Sequence, residues 1–453
     1  GLGSLVPSNP GKRSDGSPGY VCSQPLLAQD RVRFVGEPLA FIVAETENLA
    51  KNASELIQVE LKNLPVIASA DDALAESAFP IWSDNPSNEA YCFERGDESS
   101  VESVFDEAPH LIRHRVCVNR VAGNAIENRG CIGFYDEFED RYSLRATVQS
   151  VHGIRQLISG RIFKMPQTKL RVFCDNMGGG FGTKGGCYPE YSLSLWASEV
   201  VGCPVKWMAE RSESLLTDEQ ARGGLVDAEI AFDNDYNIIG LRTHTKVPIG
   251  AYYTNDRNMG SATSGLGGLA GVYNIPAIYA RVTGVITNMM TNAQYRGGAK
   301  PEPVYVLEVM LDVAARKLGI DPVELRQRNT LAPEELPFKT ALGDTYDCGD
   351  FVRNLEDCLE AGSYQDIEAR RAAARKRGKI LGLGISNTVT GVATTNFEHV
   401  EIRFDSSGGM TLLSGAMDHG QGHATTFKQV LADKLEIDTS KVNYRFGDTD
   451  TVT

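Results

Sequence analysis

The sequence predicts an α+β protein of more than one domain, and three observations carry that prediction. At 453 residues the chain is too long for one core, and the usual ~100–200 residues per domain give roughly two to four. Its apolar residues alternate with period two in some stretches and follow a helical period in others, with abrupt switches between them. Glycine clusters stand at several of those switches.

In chain order, the opening "GLGSLVPSNPGKRSDGSPG" has no apolar signal core and no initiator methionine, so it reads as the interior of a longer chain or a cloning scar. A strand near Pro38–Val43, a helix over Leu49–Leu56 and a strand at Ile57–Leu61 then make a small α+β unit within residues 1–77. Turn residues crowd "ESAFPIWSDNPSNEAYCFERGDES", which places a linker at 78–98 and opens a second domain over 99–338. There Tyr142, Leu144, Ala146 and Val148 alternate as a half-buried strand, then Val151, Ile154 and Leu157 take a helical period. Gln149 falls on the junction. "KLRVFCDN" is a further strand running into "DNMGGGFGTKGG", residues 175–186, and "PEYSLSLWASEVVG" is a helix closed by Gly202.

Further on, a loop at Arg296–Lys300 precedes a helix from Pro303 to Leu318 stopped by Gly319. Asp321 and Glu324 form a capping box for the next helix, with Pro322 at its first position. A third domain over 339–453 holds a strand ending near Met417, a turn at Gly420–Gln421–Gly422, and a helix with Phe427, Val430, Leu431 and Leu435 on one face.

Composition narrows the function. A formal net charge of −14 argues against nucleic acid and anionic membranes as partners. No apolar run reaches the ~18 residues of a membrane span. The nine cysteines are odd in number and lack any C-x-x-C pair, the pattern of reduced thiols in a cytoplasmic enzyme rather than of a metal cluster. His419 and His423 have the spacing of one helical face but no acidic third ligand at a zinc-site spacing, so a solvated or hydrogen-bonded pair is expected. The glycine run fits neither G-x-G-x-x-G nor G-x-x-x-x-G-K-[ST], and reads either as a structural loop or as a place where backbone meets a ligand. The strand-to-helix turns either converge on an anionic, phosphate-bearing cofactor or are unrelated turns.

Taken together, "DRVRFVGEPLAFIVAET", "VQSVHGIR", "GGGFGTK", "LAGVYNIP", "AQYRGGAKPEPVYVLE", "LGIDPVELRQRNTL" and "GQGHATTFKQVLADKLEI" resemble, in order and spacing, the molybdenum-binding large subunit of the xanthine dehydrogenase and aldehyde oxidase family. The resemblance implies an N-terminal α/β hammerhead-like domain followed by molybdopterin-binding α+β domains. It implies molybdopterin, as the mononucleotide or the cytosine dinucleotide, holding molybdenum with no metal ligand from the chain. It further implies a hydroxylase that inserts water-derived oxygen into a C–H bond of an aldehyde or aromatic N-heterocycle and passes electrons to iron–sulfur clusters and FAD on partner subunits.

Carried over position by position, Gln149 bonds the apical oxo ligand, Gly179, Gly180, Phe181 and Gly182 line the cofactor, and Arg296 faces the substrate pocket. Gly420, Gln421 and Gly422 form a pterin-binding turn. Gln149 and Arg296 are thus the expected catalytic residues. The chain departs from purine-oxidising members, which keep a glutamate at Gly185 and phenylalanines at Gly298 and Asn387, and from carbon monoxide dehydrogenases, which keep a cysteine at Gly297. The family's general-base glutamate, in a G-x-G-E-type stretch, has no counterpart here. A companion chain, or the rest of a longer one, is expected to supply it, and the alternative is a non-catalytic cofactor-binding or assembly module.

Overall fold

A computed structural model of the chain describes residues 1–391 and 399–452. The strands are β1 (Glu89–Gly96), β2 (His110–Ala122), β3 (Gly130–Asp136), β4 (Arg141–Ala146), β5 (Leu170–Phe173), β6 (Val205–Met208), β7 (Gln220–Phe232), β8 (Ile238–Gly250) and β9 (Ile278–Ile286), then β10 (Phe338–Lys339), β11 (Thr345–Tyr346), β12 (Val400–Phe404), β13 (Met410–Ser414) and β14 (Val442–Arg445). They form a five-stranded sheet in the order β1-β9-β8-β7-β2, a four-stranded sheet β5-β4-β3-β6, a three-stranded sheet β12-β13-β14 and the hairpin β10-β11. With helices between and across them, the fold is α+β as predicted.

The longest helix packs on the large sheet. Pro301–Leu318 buries Val306, Leu307, Met310, Leu311 and Ala314 in the same apolar core as Val226, Ile230, Leu241 and Val282 of the sheet. Each such side chain contributes ~1.5–3 kcal/mol on full burial. Pro at its first turn and Gly319 in the left-handed conformation (φ 71°) set its ends.

The smaller sheet contains the predicted junctions. Tyr142, Leu144, Ala146 and Val148 are buried on one face, the helix Val151–Leu157 follows, and β5 pairs parallel to β4. The helix Pro189–Val201 covers it and ends at Gly202. Arg129, 0% exposed, joins this sheet to its helices by bonds to Asp218, Glu190 and Thr217, its guanidinium stacked 3.6 Å from the Tyr188 ring centroid. The third domain repeats the parallel arrangement, with β13, the helix His423–Leu435 and β14 in register.

Several expectations are corrected. The helix near residue 50 forms over Glu47–Glu55, capped by Thr46, but the strands expected at Pro38–Val43 and Ile57–Leu61 find no ladder among the described residues. Leu61 is 68% exposed there, and a strand needs a neighbouring backbone as well as a pattern. The stretch expected as a linker at 78–98 ends in β1, whose Ala90 and Tyr91 are wholly buried; the surrounding turn residues mask that alternation in sequence. The boundary expected after residue 338 cuts the β10-β11 hairpin, which Arg95 of β1 holds through the Leu342 carbonyl and Asp344.

Asp321 caps its helix by accepting from Val323 and Glu324 N–H, but Glu324 turns outward to Arg328, so only half of the capping box exists. The strand before the glycine turn stops at Ser414 rather than near Met417. On the last helix Phe427 and Leu431 pack inward while Val430 and Leu435 stay exposed.

Candidate functional site

The two parallel units meet at the carboxyl ends of their strands. Phe173 bridges Asp448, Cys174 N–H donates to the Gly447 carbonyl at 2.7 Å, and Arg171 grips Asp448 at 3.0 and 2.6 Å. Loops leaving such strand ends form the usual crevice for a ligand in open parallel sheets, because several helix starts and backbone amides converge there. Gln149, residues 175–186 and residues 417–422 all leave from those ends.

Within this crevice Gln149 is fixed from both sides. Its N–H donates to the Lys184 carbonyl at 2.9 Å, and its side-chain Oε1 accepts from Gly182 N–H at 2.8 Å. The amide oxygen being so used, Nε2 is left as a donor with no partner among the described residues. Gly180 permits this approach: a Cβ there would stand 2.5 Å from the Gln149 amide carbon. Phe181 takes a left-handed conformation (φ 53°), leaving its ring 39% exposed, and its carbonyl accepts from Arg296 N–H at 2.9 Å.

Gly182 has φ 102° and would put a Cβ 2.1 Å from the Gln294 carbonyl, so only glycine serves there. Gly179, at φ 96°, lies under the Phe181 ring. Arg296 is exposed, its carbonyl held by Arg222 at 3.1 Å. The predicted Gln149, Gly179, Gly180, Phe181, Gly182 and Arg296 are therefore one connected cluster.

Gly420, Gln421 and Gly422 form a separate turn on the facing unit. Both glycines have positive φ (114° and 80°), and Gln421 accepts from His419 N–H at 2.7 Å. Asp418 sits beneath: burial opposes its ionisation, but the N–H groups of Gly420, Ala424 and Gly422 outweigh that and lower its pKa. The turn is tied to the first cluster through Met417, which packs with Val148 and Cys174. His419 and His423 do not share a helical face, since His419 lies in the turn while His423 stacks on Phe427 at 4.6 Å.

Two buried ion pairs escape sequence reading. Lys184, 2% exposed, donates to Glu127 at 2.8 Å, and the same carboxylate accepts from Gly178 N–H at 2.9 Å. Burial lowers the Lys184 pKa, with Glu127 pulling against it. Arg257 pairs with Glu219 at 2.6 Å and also donates to the Gly182 carbonyl. Lys184 lies inside the quoted glycine motif, but Glu127, Arg257 and Glu219 sit in polar loops with no periodic signal.

Of the positions where the chain departs from purine-oxidising members, Gly298 is open and Gly185 lies against Arg257, a Cβ there falling 3.0 Å from its Cζ. Asn387 is 1% exposed and bonds the Phe351 carbonyl and Asn354, so it is not a pocket wall.

Residues 81–330 match the model of the molybdopterin cofactor-binding domain, and 357–453 match a second model of that description. The chain belongs to the molybdenum-binding large-subunit family of the molybdenum hydroxylases. Residues 9–65 match the a/b hammerhead domain of aldehyde oxidase and xanthine dehydrogenase. The carbon monoxide dehydrogenase large chain of Hydrogenophaga pseudoflava is 31% identical, aligned over 94% of this chain and 56% of its own length. For the nicotine 6-hydroxylase large subunit of Paenarthrobacter nicotinovorans the figures are 32%, 94% and 53%. The crystal structure of quinoline 2-oxidoreductase from Pseudomonas putida 86 superposes with a TM-score of 0.89 at 29% identity, covering 100% of this chain and 58% of that one. The chain thus spans about half the length of the curated relatives it matches.

The crevice fits the cofactor of this family. Positions where any side chain would collide bring bare backbone to the surface, and Gln149 Nε2 is a free donor suited to a ligand oxygen. Among the described residues no group of three or more His, Cys, Asp or Glu is placed to hold a metal ion directly. No helix of the described residues is long and apolar enough to cross a membrane.

Proposed function

We propose that this chain is the part of a molybdenum hydroxylase that holds molybdopterin in the crevice between its two parallel units. The reaction converts a substrate C–H and water into C–OH, two electrons and two protons. Its substrate is an aldehyde or an aromatic N-heterocycle, and iron–sulfur and FAD partner subunits take the electrons. Relatives named for nicotine and quinoline support that class. Bound in the crevice, the molybdenum centre supplies the two-electron redox chemistry. Gln149 Nε2 would donate to an oxygen of the bound group, the glycines would admit it, Phe181 would exclude water on one side, and Arg296 would offer a donor fork to a substrate carbonyl or carboxylate. Gly420–Gln421–Gly422 would hold the pterin from the opposite unit. The cofactor is the mononucleotide or the cytosine dinucleotide.

One observation carries this reading: the Gln149 Oε1 bond to Gly182, which leaves the other end of the amide as a donor without a partner among the described residues, beside the glycine turn. Glu127 and Glu219, beside the loop, are engaged by Lys184 and Arg257. No position here matches the family's general-base glutamate, and a companion chain or a continuation would supply it. Unpaired cysteines support a reducing, cytoplasmic setting. We divide the chain into an N-terminal unit, a first cofactor domain extended to include the β10-β11 hairpin, and the start of a second.

Molybdenum content, with cytosine nucleotide released on acid treatment, tests loading in the assembled complex. A dye-reduction panel, run with wild type and Arg296→Met, tests the pocket. Aldehydes or N-heterocycles should be oxidised and xanthine left nearly untouched; xanthine as best substrate, or unchanged specificity constants in Arg296→Met, sinks the model. Without its complement the chain should lose the ~10²–10⁴-fold contribution of a general base. Robust turnover by the chain alone would place the base within it.

A further inference from the structure

Arg257 stands at the start of the helix Arg257–Thr263, only 22% exposed, and its guanidinium reaches three segments at once. It donates to Glu219 at 2.6 Å, to the Gly182 carbonyl, and to the Gln294 carbonyl at 3.4 Å. Glu219 is itself 5% exposed at its side chain and takes a second bond from Asn255 at 3.0 Å. Asn255 in turn accepts from Arg257 N–H at 2.9 Å, closing a ring around the pair.

The glycines after the motif lysine report the same device. Gly185 and Gly186 have no positive φ, so backbone conformation does not require them. Room does: a Cβ at Gly185 would lie 3.0 Å from the Arg257 guanidinium carbon, and one at Gly186 would lie 2.6 Å from the Glu219 carboxylate. The two glycines form the floor on which the ion pair lies.

We propose that Arg257, anchored by Glu219, is a positioning residue that locks the Phe181–Gly182 turn to the Gln294–Arg296 segment. Its two carbonyl contacts lie next to the bond from Arg296 N–H to the Phe181 carbonyl, so it sets the relative placement of the cofactor-side and substrate-side residues without touching either ligand. A planar guanidinium does this where an ammonium does not, because its donors point in fixed, separate directions. Its catalytic meaning rests on the cofactor reading above; the lock itself does not.

Hydrogen exchange on the purified full chain, without cofactor, tests the lock. In Arg257→Met the amides of residues 178–186 and 292–298 should exchange roughly tenfold faster, with β7 and β8 unchanged. Glu219→Gln should show the same local pattern, and Arg257→Lys an intermediate one. Should Arg257→Met not fold, Arg257→Lys and Gly185→Ala, which crowds the guanidinium from below, carry the test. Wild-type exchange in these segments in every variant that folds overturns the proposal. In the loaded complex Arg257→Met should lower kcat while leaving KM within about twofold, since the substrate groups remain but their alignment to the cofactor is lost. A changed KM at full kcat overturns the positioning role. Wild type devoid of molybdopterin, with the exchange pattern as expected, would refute the cofactor reading and leave the lock standing.

Discussion

Gln149 Oε1 and Gly182 N–H are bonded at 2.8 Å, and that bond decides which end of the Gln149 amide faces the crevice. A side chain that accepts from Gly182 but donates nothing should therefore hold the loop and lose the chemistry. Gln149→Glu meets that description. In the assembled enzyme it should keep molybdenum content near wild type while turnover falls ~10²–10³-fold, the usual worth of one preorganised donor. Gln149→Ala should lose both the rate and the protection of Gly182 N–H. Full activity at full metal loading in either variant would show Gln149 to be misplaced.

Gly182→Ala should prevent loading altogether. The left-handed backbone costs ~1–3 kcal/mol for a side chain, and the new Cβ would collide with the Gln294 carbonyl at 2.1 Å. The measurement is metal content per chain beside thermal unfolding, with a loaded and fully stable variant as the contrary result.

Removing Arg129 should unfold the smaller sheet from its helix. Arg129→Met leaves Glu190 and Asp218 facing each other in a site that is nearly dry, and breaking a buried pair from one side costs ~3–5 kcal/mol. Urea unfolding followed by fluorescence reads the loss; a change under ~1 kcal/mol would mean that water replaces the guanidinium.

Glu302→Gln should stabilise the protein at neutral pH. Glu302 borders a cavity of about 40 Å³ with Arg222, Thr243, Thr245 and Ser261, and its buried Oε2 has no partner. Burial raises its pKa above the ordinary 4.5, with Arg222 only partly offsetting that. The folded protein therefore favours the protonated carboxyl. Its contribution is fully present below the unfolded value and is lost as pH rises through the higher folded one. The variant's advantage, on the order of 1 kcal/mol, should appear at pH 7 and vanish near pH 4 in thermal melts. An advantage independent of pH would trace to packing instead.

Where local chemistry decides the structure, the sequence was sufficient. Gly319, Asp321 and Gly202 mark helix ends by backbone rules that act over a few residues, although the helix expected from Pro303 begins at Pro301, and the switch of period at Gln149 places it between strand and helix. What stayed hidden depends on partners far along the chain. β1 exists because β9 lies beside it, almost two hundred residues on, whereas Ile57–Leu61 has the pattern but no such neighbour. Arg257 and Glu219 look like ordinary loop charges until the fold lays them across Gly185 and Gly186. The resemblance puts Asn387 at a pocket position, and its burial against Phe351 and Asn354 removes it from the pocket.

The seam between the two parallel units is mostly polar: Arg171–Asp448, Arg141–Asp450, the Cys174–Gly447 and Thr449–Val172 backbone bonds, with Met417 and Phe446 as its apolar contribution. A seam of this kind is held more weakly than a continuous core. A molecule that touches both units adds to their cohesion by RT ln(1 + [L]/Kd), about 4 kcal/mol at a thousandfold excess over Kd. The guest is in that sense a rivet. Chains that carry it should come apart as one body under denaturant, and chains that lack it should release the second unit first.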